Sequence, residues 1–276
     1  FLYGAAPLSV QTRLYFASLN IFLINGYGMS ECSGPQNFSD PRNLEAFNEF
    51  TMKSAGVKLD GTDIRIDSPD AEGNGEICYR GRNRFMGYFK DAKSTIETID
   101  SEGFLHSGDV GKIDSRGNLY ITGRIKELII TAGGENIPPI LIENKIKESM
   151  PFISNVMIYG DNRKYLVCLI SLKTKDNSSE LTQEVVNEFT GYGVVAVKTI
   201  EDAIASKPLF NLITKLLEKA NSHATSRAQH VRFWKLLPAD FSIEGGELTP
   251  TMKLKRRVAA TKWMNLIEEM YHHAKL

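Results

Sequence analysis

The stretch at residues 123–150, GRIKELIITAGGENIPPILIENKIKESM, separates two kinds of sequence in this chain. Its first half holds an apolar run that stops at Gly133-Gly134. Its second half, after a Pro-Pro pair, repeats apolar residues at helical spacing. The reading is a strand, a Gly-Gly turn and a helix. Pro138 or Pro139 sits in the first turn of that helix, where an amide proton would find no partner anyway. Upstream of Lys126 the signals are short and β-like. Downstream they are mostly helical. A domain boundary is therefore expected near Lys126, giving residues 1–125 and 126–276.

Working upstream, VKLDGTDIRID, GEICYRG, VGKID and GNLYIT read as short strands, and EGNGE and SRGN as tight turns. They predict a small β-rich subdomain. Residues 91–99 read as a short helix with Asp91 as its N-cap. Residues 33–55 are polar and loop-like. In IFLINGYGMSEC, residues 21–32, a strand over 21–24 ends in Gly26-Tyr27-Gly28, followed by Ser30 and Glu31. Residues 8–19 have helical spacing, and Gly4-Ala5-Ala6-Pro7 is a small-residue loop. The chain opens on Phe1 with a strand already under way, so a larger protein is expected to precede it.

Downstream, NVMIYGDNRKYLVCLISL reads as two β runs joined by a polar turn. Residues 180–236 read as mostly amphipathic helices. A loop, ADFSIEGGELTPTMKLKRR, leads into a last helix with Ala259, Trp263, Leu266, Ile267, Met270 and Tyr271 at roughly helical spacing. Docking onto its own domain is the expected use of that face. Peripheral membrane contact is the alternative.

Composition narrows the function classes. Of 276 residues, 42% are hydrophobic and 24% charged, ordinary for globular chains. Lys plus Arg is 33 and Asp plus Glu is 33, so the net charge is zero and no nucleic-acid footprint is expected. An anionic ligand would have to be held locally. Cys32, Cys78 and Cys168 are odd in number, far apart and without zinc spacing. They predict no disulfide framework and a reducing compartment. No apolar run is long enough to span a membrane.

Several short stretches carry candidate chemistry. Glycines beside a strand let a ligand approach the backbone. Tyr27 offers a flat face to a planar base, and Glu31 an oxygen ligand for Mg²⁺. Asp109, in a Gly-Asp turn expected to open a new strand, suits a ribose diol. Arg124 suits a ribose or phosphate oxygen. Gly133-Gly134 leaves the backbone open, with Glu135 at the turn surface. Lys253 is a mobile point charge apt for phosphate. Singly, each is equally an ordinary polar turn or a solvated basic face.

Taken together, GAAPLS, GYGMSE, FLHSGD, GRIKELIITAGGENIPP and LTPTMKLKRR occur in the order and approximate spacing of the adenylate-forming superfamily. That group contains acyl-CoA synthetases, luciferases and peptide-synthetase adenylation domains. FMGYFKD, HSGDVGKID, FSIEGGELTPTMKLKRR and the final EEMYHH resemble the bubblegum-type long-chain fatty-acid–CoA ligases. The resemblance covers nearly the whole chain. It implies an α/β fold: the end of a large AMP-binding N-terminal domain with a β-rich subdomain, then a small mobile α+β lid domain.

The resemblance also implies a reaction and its residues. A fatty acid is joined to AMP from ATP, pyrophosphate leaves, and the acyl group passes to coenzyme A. Gly4, Ala5, Ala6 and Pro7 line the adenine pocket. Tyr27 lies against adenine, with Gly26 and Gly28 giving room. Ser30, where threonine is usual, touches phosphate, and Glu31 holds Mg²⁺. Asp109 takes the ribose hydroxyls, and Arg124 the ribose or phosphate side. Lys126 is the hinge, often an aspartate. Lys253 reaches the forming acyl-phosphate. Met252 stands where glycine is usual, which is tolerable if the backbone there does not need a positive φ. Gly133, Gly134 and Glu135 are candidates for the pantetheine channel, with an exposed loop acid the alternative for Glu135. The family's phosphate-binding loop lies upstream of GAAPLS, so this chain alone is expected to be feebly active or inactive. Other readings are an adenylating ligase for another carboxylic acid, and a non-catalytic nucleotide- or partner-binding isoform. The expected location is cytoplasmic, or peripheral on the endoplasmic reticulum or other intracellular membranes.

Overall fold

The computed structural model describes residues 1–4, 8, 10–39, 52–175, 178–222, 224 and 226–272. Contacts divide the chain after Lys126 into two units, Phe1–Lys126 and Glu127–Leu276. The mixed α/β class expected from the sequence is the one observed.

Two four-stranded sheets build the first unit. One is ordered β1 (Leu2–Gly4), β2 (Ile24–Met29), β3 (Gly34–Phe38), β4 (Val57–Lys58). β1 and β2 run parallel, and the helix Val10–Ser18 supplies the crossover that a parallel pair needs. The other sheet is an antiparallel meander of β5 (Thr62–Asp67), β6 (Gly75–Gly81), β7 (Leu105–Ile113) and β8 (Leu119–Arg124). The core cluster joins the two sheets through Cys32, Ala55, Ile77, Tyr79, Leu105 and Leu119. The helix Ala92–Thr98 starts as expected, with the Asp91 carboxylate accepting the Ser94 N–H at 3.0 Å.

Three sequence expectations are corrected here. The strand expected over 21–24 is observed over Ile24–Met29, so the glycines lie within it rather than in a turn after it. They are required by close strand approach. A Cβ on Gly28 would collide with Gly34 and Pro35 of β3, and one on Gly4 would lie 2.6 Å from the Gly26 carbonyl oxygen. Residues 33–55, expected to be loop, contain β3. Its Gln36 and Asn37 are fully buried. Their amides donate to backbone carbonyls of Cys32 and Gly56 at 3.3 Å, which removes the cost of burying them. Polar side chains in a buried strand leave no apolar signal. Third, FLHSGDVGKID forms one nine-residue strand, β7, rather than a turn opening a new strand. Gly108 carries it through an irregularity at φ +71°.

In the second unit, β9 (Ile129–Ile130) and β10 (Asn136–Ile137) form a hairpin around Gly133-Gly134. The helix Pro139–Ser149 follows, with Pro139 at its first position. β11 (Ile153–Tyr159) pairs antiparallel with β12 (Leu166–Leu172). β13 (Val231–Leu236) pairs parallel with β12. This last strand lies in a stretch expected to be helical; VRFWKL has no clear period, and only the pairing with β12 reveals it. The helices Gln183–Gly191, Ile200–Ala205 and Lys207–Asn221 lie in the same stretch. β12 is buried at all seven positions. Leu166, Cys168, Ile170 and Leu172 join one apolar cluster, Val167 and Leu169 another. Both faces of the sheet are therefore covered, as a continuous apolar run requires. The last helix is two, Arg256–Lys262 and Met264–His272, and Trp263 between them packs against the second cluster.

One largely buried ion pair anchors the start of the Arg256–Lys262 helix. Arg256 Nη1 and Nη2 donate to Glu143 Oε1 and Oε2 at 2.6 and 2.9 Å. Arg256 Nη1 also donates to the Ile158 carbonyl at 3.0 Å, and Glu143 Oε1 accepts the Ile158 N–H at 2.8 Å. The pair thus ties the Pro139–Ser149 helix, β11 and the start of the Arg256–Lys262 helix together. Removing one partner strands a buried charge. Arg256→Ala is expected to lower unfolding stability by about 3–5 kcal/mol. Glu143→Ala should cost a similar amount, and the double variant much less than the sum, as read from urea unfolding.

Candidate functional site

β2 and β7, from the two sheets of the first unit, bring Tyr27 and Asp109 together. The Tyr27 hydroxyl donates to Asp109 Oδ2 at 2.6 Å. On the other oxygen, Arg124 Nε lies 2.8 Å from Oδ1, and Arg124 is the cross-strand partner of Asp109 on β8. Asp109 is only 7% exposed, so these two donors compensate most of its desolvation. Burial, then the charge and hydrogen bond of Asp109, push the Tyr27 hydroxyl well above its ordinary range, so it stays a donor at all ordinary pH. Each Asp109 oxygen keeps a further lone pair. A carboxylate fixed in this way is suited to accept two neighbouring hydroxyls.

Ser30 and Glu31 follow on the 3₁₀ turn Ser30–Cys32 at the end of β2. Ser30 is exposed. Glu31 Oε1 accepts the Tyr88 hydroxyl at 2.8 Å, and Oε2 has no partner among the described residues. An anchored carboxylate with a free oxygen fits Mg²⁺, which commonly takes one or two carboxylates and keeps several waters. Gly4 and Gly26 are Cα partners across β1 and β2. Ala5, Ala6 and Pro7 lie outside the described residues. Lys126 lies in a second 3₁₀ turn, Ile125–Glu127, where the two units meet in sequence.

The second unit carries the remaining candidates. Gly133, Gly134 and Glu135 are exposed in the β9–β10 turn, and Gly134 has φ +80°. Glu135 Oε2 accepts the Ser226 hydroxyl at 3.1 Å, so it is not an unpaired loop acid. Lys253 is exposed in a tight loop. Its N–H donates to Thr249 Oγ1 at 3.0 Å and its carbonyl accepts the Thr249 N–H at 2.8 Å. Its ammonium has no partner among the described residues. Met252 corrects a sequence expectation: φ there is +59°, the left-handed region where a side chain is strained. The loop demands positive φ: Met252 ends the Thr249–Met252 turn, and its left-handed backbone lets the Lys253 carbonyl accept the Thr249 N–H at 2.8 Å.

A group unassigned in the sequence lies beside Asp109. Glu76 on β6 and His106 on β7 make a 2.7 Å contact through Oε2 and Nδ1. Cys78 Sγ lies 3.5 Å from the same nitrogen. These donor types resemble a metal-binding set, with their atoms within 4.8 Å of one another. Yet both Glu76 oxygens are already engaged, Oε1 by the Gly108 N–H at 2.9 Å. Burial and the Glu76 charge also push the Cys78 thiol up to about 12, away from the thiolate a metal needs. The cluster as built is a hydrogen-bonded pair. Its signal was a histidine two residues before the glycine of FLHSGD, paired by sheet register with GEIC.

The chain has relatives in sequence and in fold. Residues 1–89 match the model of the AMP-binding enzyme family, and residues 126–275 that of the AMP-binding enzyme C-terminal domain. Long-chain-fatty-acid–CoA ligase ACSBG2 of Gallus gallus is 46% identical over 98% of this chain and 36% of its own length. Long-chain-fatty-acid–CoA ligase ACSBG1 of Homo sapiens is 43% identical over 99% and 38%. The chain thus spans well under half the length of these relatives. Among solved structures, the adenylation domain of a carboxylic acid reductase from Segniliparus rugosus, in complex with AMP and a carboxylic acid, superposes with a TM-score of 0.71. It is 19% identical, over 99% of this chain and 39% of that one, so the likeness is one of fold. Fold and matches define the class as that of AMP-binding enzymes. The chain belongs to the AMP-binding enzyme family, and it is similar over nearly its whole length to the two long-chain-fatty-acid–CoA ligases above.

The Met252 strain is testable. A left-handed non-glycine residue costs about 1–2 kcal/mol, and glycine returns part of that as unfolded-chain entropy. Met252→Gly is expected to raise stability by about 0.5–1 kcal/mol in thermal unfolding. A drop would mean the Met252 side chain contributes more than its 64% exposure suggests.

Proposed function

We propose that this chain is part of a long-chain fatty-acid–CoA ligase that makes acyl-AMP and pyrophosphate from ATP, then the thioester with coenzyme A. The observation that carries the reading is the Tyr27–Asp109–Arg124 constellation beside the Ser30–Glu31 turn. The names of the relatives supply the substrate class.

In this reading adenine lies against the Tyr27 ring, Gly26 and Gly28 give it room, and Gly4 is assigned to the same pocket, as are Ala5, Ala6 and Pro7, which lie outside the described residues. Asp109 accepts the two ribose hydroxyls on the lone pairs that Tyr27 and Arg124 leave free. Arg124, half exposed, has its guanidinium nitrogens beyond Nε for ribose or phosphate oxygens. The Ser30 hydroxyl donates to phosphate, and the Glu31 carboxylate holds Mg²⁺. When bound, Mg²⁺ spreads negative charge on the phosphate oxygens. Lys253 stabilises charge growing between carboxylate and phosphorus during adenylation. Lys126 serves as hinge, and the second unit is the mobile lid. Gly133, Gly134 and Glu135 then line the pantetheine path, with Glu135 oriented by Ser226. Among the described residues no helix is long and apolar enough to cross a membrane. The last helix packs its apolar residues against its own unit, which favours docking over membrane contact.

The decisive test is mass-spectrometric detection of palmitoyl-CoA from palmitate, ATP, Mg²⁺ and CoA. It compares this chain with one extended through an upstream phosphate-binding segment. Thioester from the extended chain supports the reading. Inertness of both, with short and aromatic acids also untouched, overturns it. In the active form, Lys253→Ala is expected to slow adenylate formation about 100- to 1000-fold. It should spare thioester formation from supplied acyl-AMP. Equal loss in both steps would refute the assigned role.

A further inference from the structure

Tyr27 and Arg124 hold the side chain of Asp109. A separate device holds its backbone. Glu76 Oε1 accepts the Gly108 N–H at 2.9 Å, and Oε2 is 2.7 Å from His106 Nδ1. One carboxylate therefore fastens residues 106 and 108, the two flanking Ser107. Ser107 Oγ in turn accepts the Asp109 N–H at 3.1 Å. The other imidazole nitrogen, Nε2, lies 3.6 Å from Asp100 Oδ2, and Asp100 is held by Arg65 Nη2 at 2.6 Å. The fastening is needed because the pairing of β6 with β7 is irregular between Glu76 and Cys78. Gly108, at φ +71°, would otherwise be free to choose among several conformations.

We infer that Glu76 and His106 are positioning residues that lock the β7 irregularity so that Asp109 presents its carboxylate to a vicinal diol. The inference rests on the proposed ribose role of Asp109. No hydrogen bond runs from Glu76 or His106 to the Asp109 carboxylate; the effect runs through the backbone at 107 and 108.

The lock has a pH dependence with a defined sign. The groups around the imidazole are Glu76 and Cys78 on β6, Arg65 and Asp67 on β5, and Asp100 in the turn before β7. Burial alone would lower His106. The hydrogen bond and charge of Glu76, with the charges of Asp100 and Asp67, outweigh it and raise it. A raised histidine contributes fully below its ordinary value of about 6.5. The contribution is lost as pH rises through the raised value. Above it, a neutral imidazole can still donate Nδ1–H to the Glu76 carboxylate, but the attraction between two opposite charges is gone.

Calorimetric titration of this chain with AMP and with 2′,3′-dideoxy-AMP tests the inference. Titrations run near pH 6 and near pH 8.5, either side of the histidine range. Wild type should bind AMP several-fold more weakly at the higher pH. His106→Leu should weaken AMP about tenfold, the scale of one lost charge-assisted hydrogen bond, and leave dideoxy-AMP unchanged. His106→Asn, whose amide nitrogen sits where Nδ1 does, should keep AMP affinity and lose the pH slope. Equal weakening of both nucleotides, or none, would overturn the inference. Should His106→Leu not fold, Glu76→Gln serves instead: selective weakening of AMP and a flat pH profile support the lock, and wild-type behaviour overturns it. If wild type binds no AMP, the ribose reading falls. The lock is then judged by hydrogen exchange at the Gly108 amide, which His106→Leu should accelerate at least tenfold and which, if unchanged, refutes it.

Discussion

A carboxylate taken out of water must recover its donors inside the protein, and the first unit is arranged around that need at Asp109. The aspartate lies on the third strand of one sheet, and the tyrosine that binds it on the second strand of another. The 2.6 Å bond between them is made only if the two sheets close over the shared apolar cluster. Arg124 completes the shell from the neighbouring strand, at the register position opposite Asp109. Packing, sheet register and ligand chemistry are therefore one problem here. A slip of a single residue in β7 would turn Asp109 to the opposite face of its sheet.

The glycines serve the same closure. By sequence, Gly4, Gly26 and Gly28 read as ligand-clearing residues. In the folded chain Gly4 and Gly28 have backbone of the neighbouring strand where a Cβ would be. A backbone bared for a ligand and a backbone bared for a neighbouring strand demand the same residue type. The two uses coincide in this sheet, because β2 runs directly into the turn that carries Ser30 and Glu31.

The second unit solves a different problem, the placement of an exposed lysine. Lys253 makes no side-chain contact of its own among the described residues. Its position comes from Thr249 on one side and, three residues on, from the buried Arg256–Glu143 pair. The ion pair is strong because Glu143 is buried, Arg256 is largely so, and the two are doubly bonded. That same burial makes it costly to break. The strain at Met252 is tolerated next to this anchor, where the return of the chain from Lys253 to Thr249 requires the left-handed conformation.

The sequence by itself determined the mixed α/β class, the Asp91 cap, the Gly-Gly turn, the proline start of the helix after it, and the two β runs that became β11 and β12. All of these are local: a period, a cap or a turn residue acts on neighbours a few positions away. It also singled out Tyr27, Glu31, Asp109, Arg124 and Lys253 through motif order. Tertiary structure decided the rest. β3 was hidden because its buried Gln36 and Asn37 are polar, the one satisfied by the nearby Cys32 carbonyl and the other by Gly56 on the next strand's approach, so no apolar period marks the strand. β13 was hidden because its partner is 65 residues upstream at Leu166–Val231. The continuity of β7, the positive φ of Met252 and the Glu76–His106 pair were equally invisible. Each depends on which strand lies alongside or on how a turn closes, and a one-dimensional pattern carries that information only weakly.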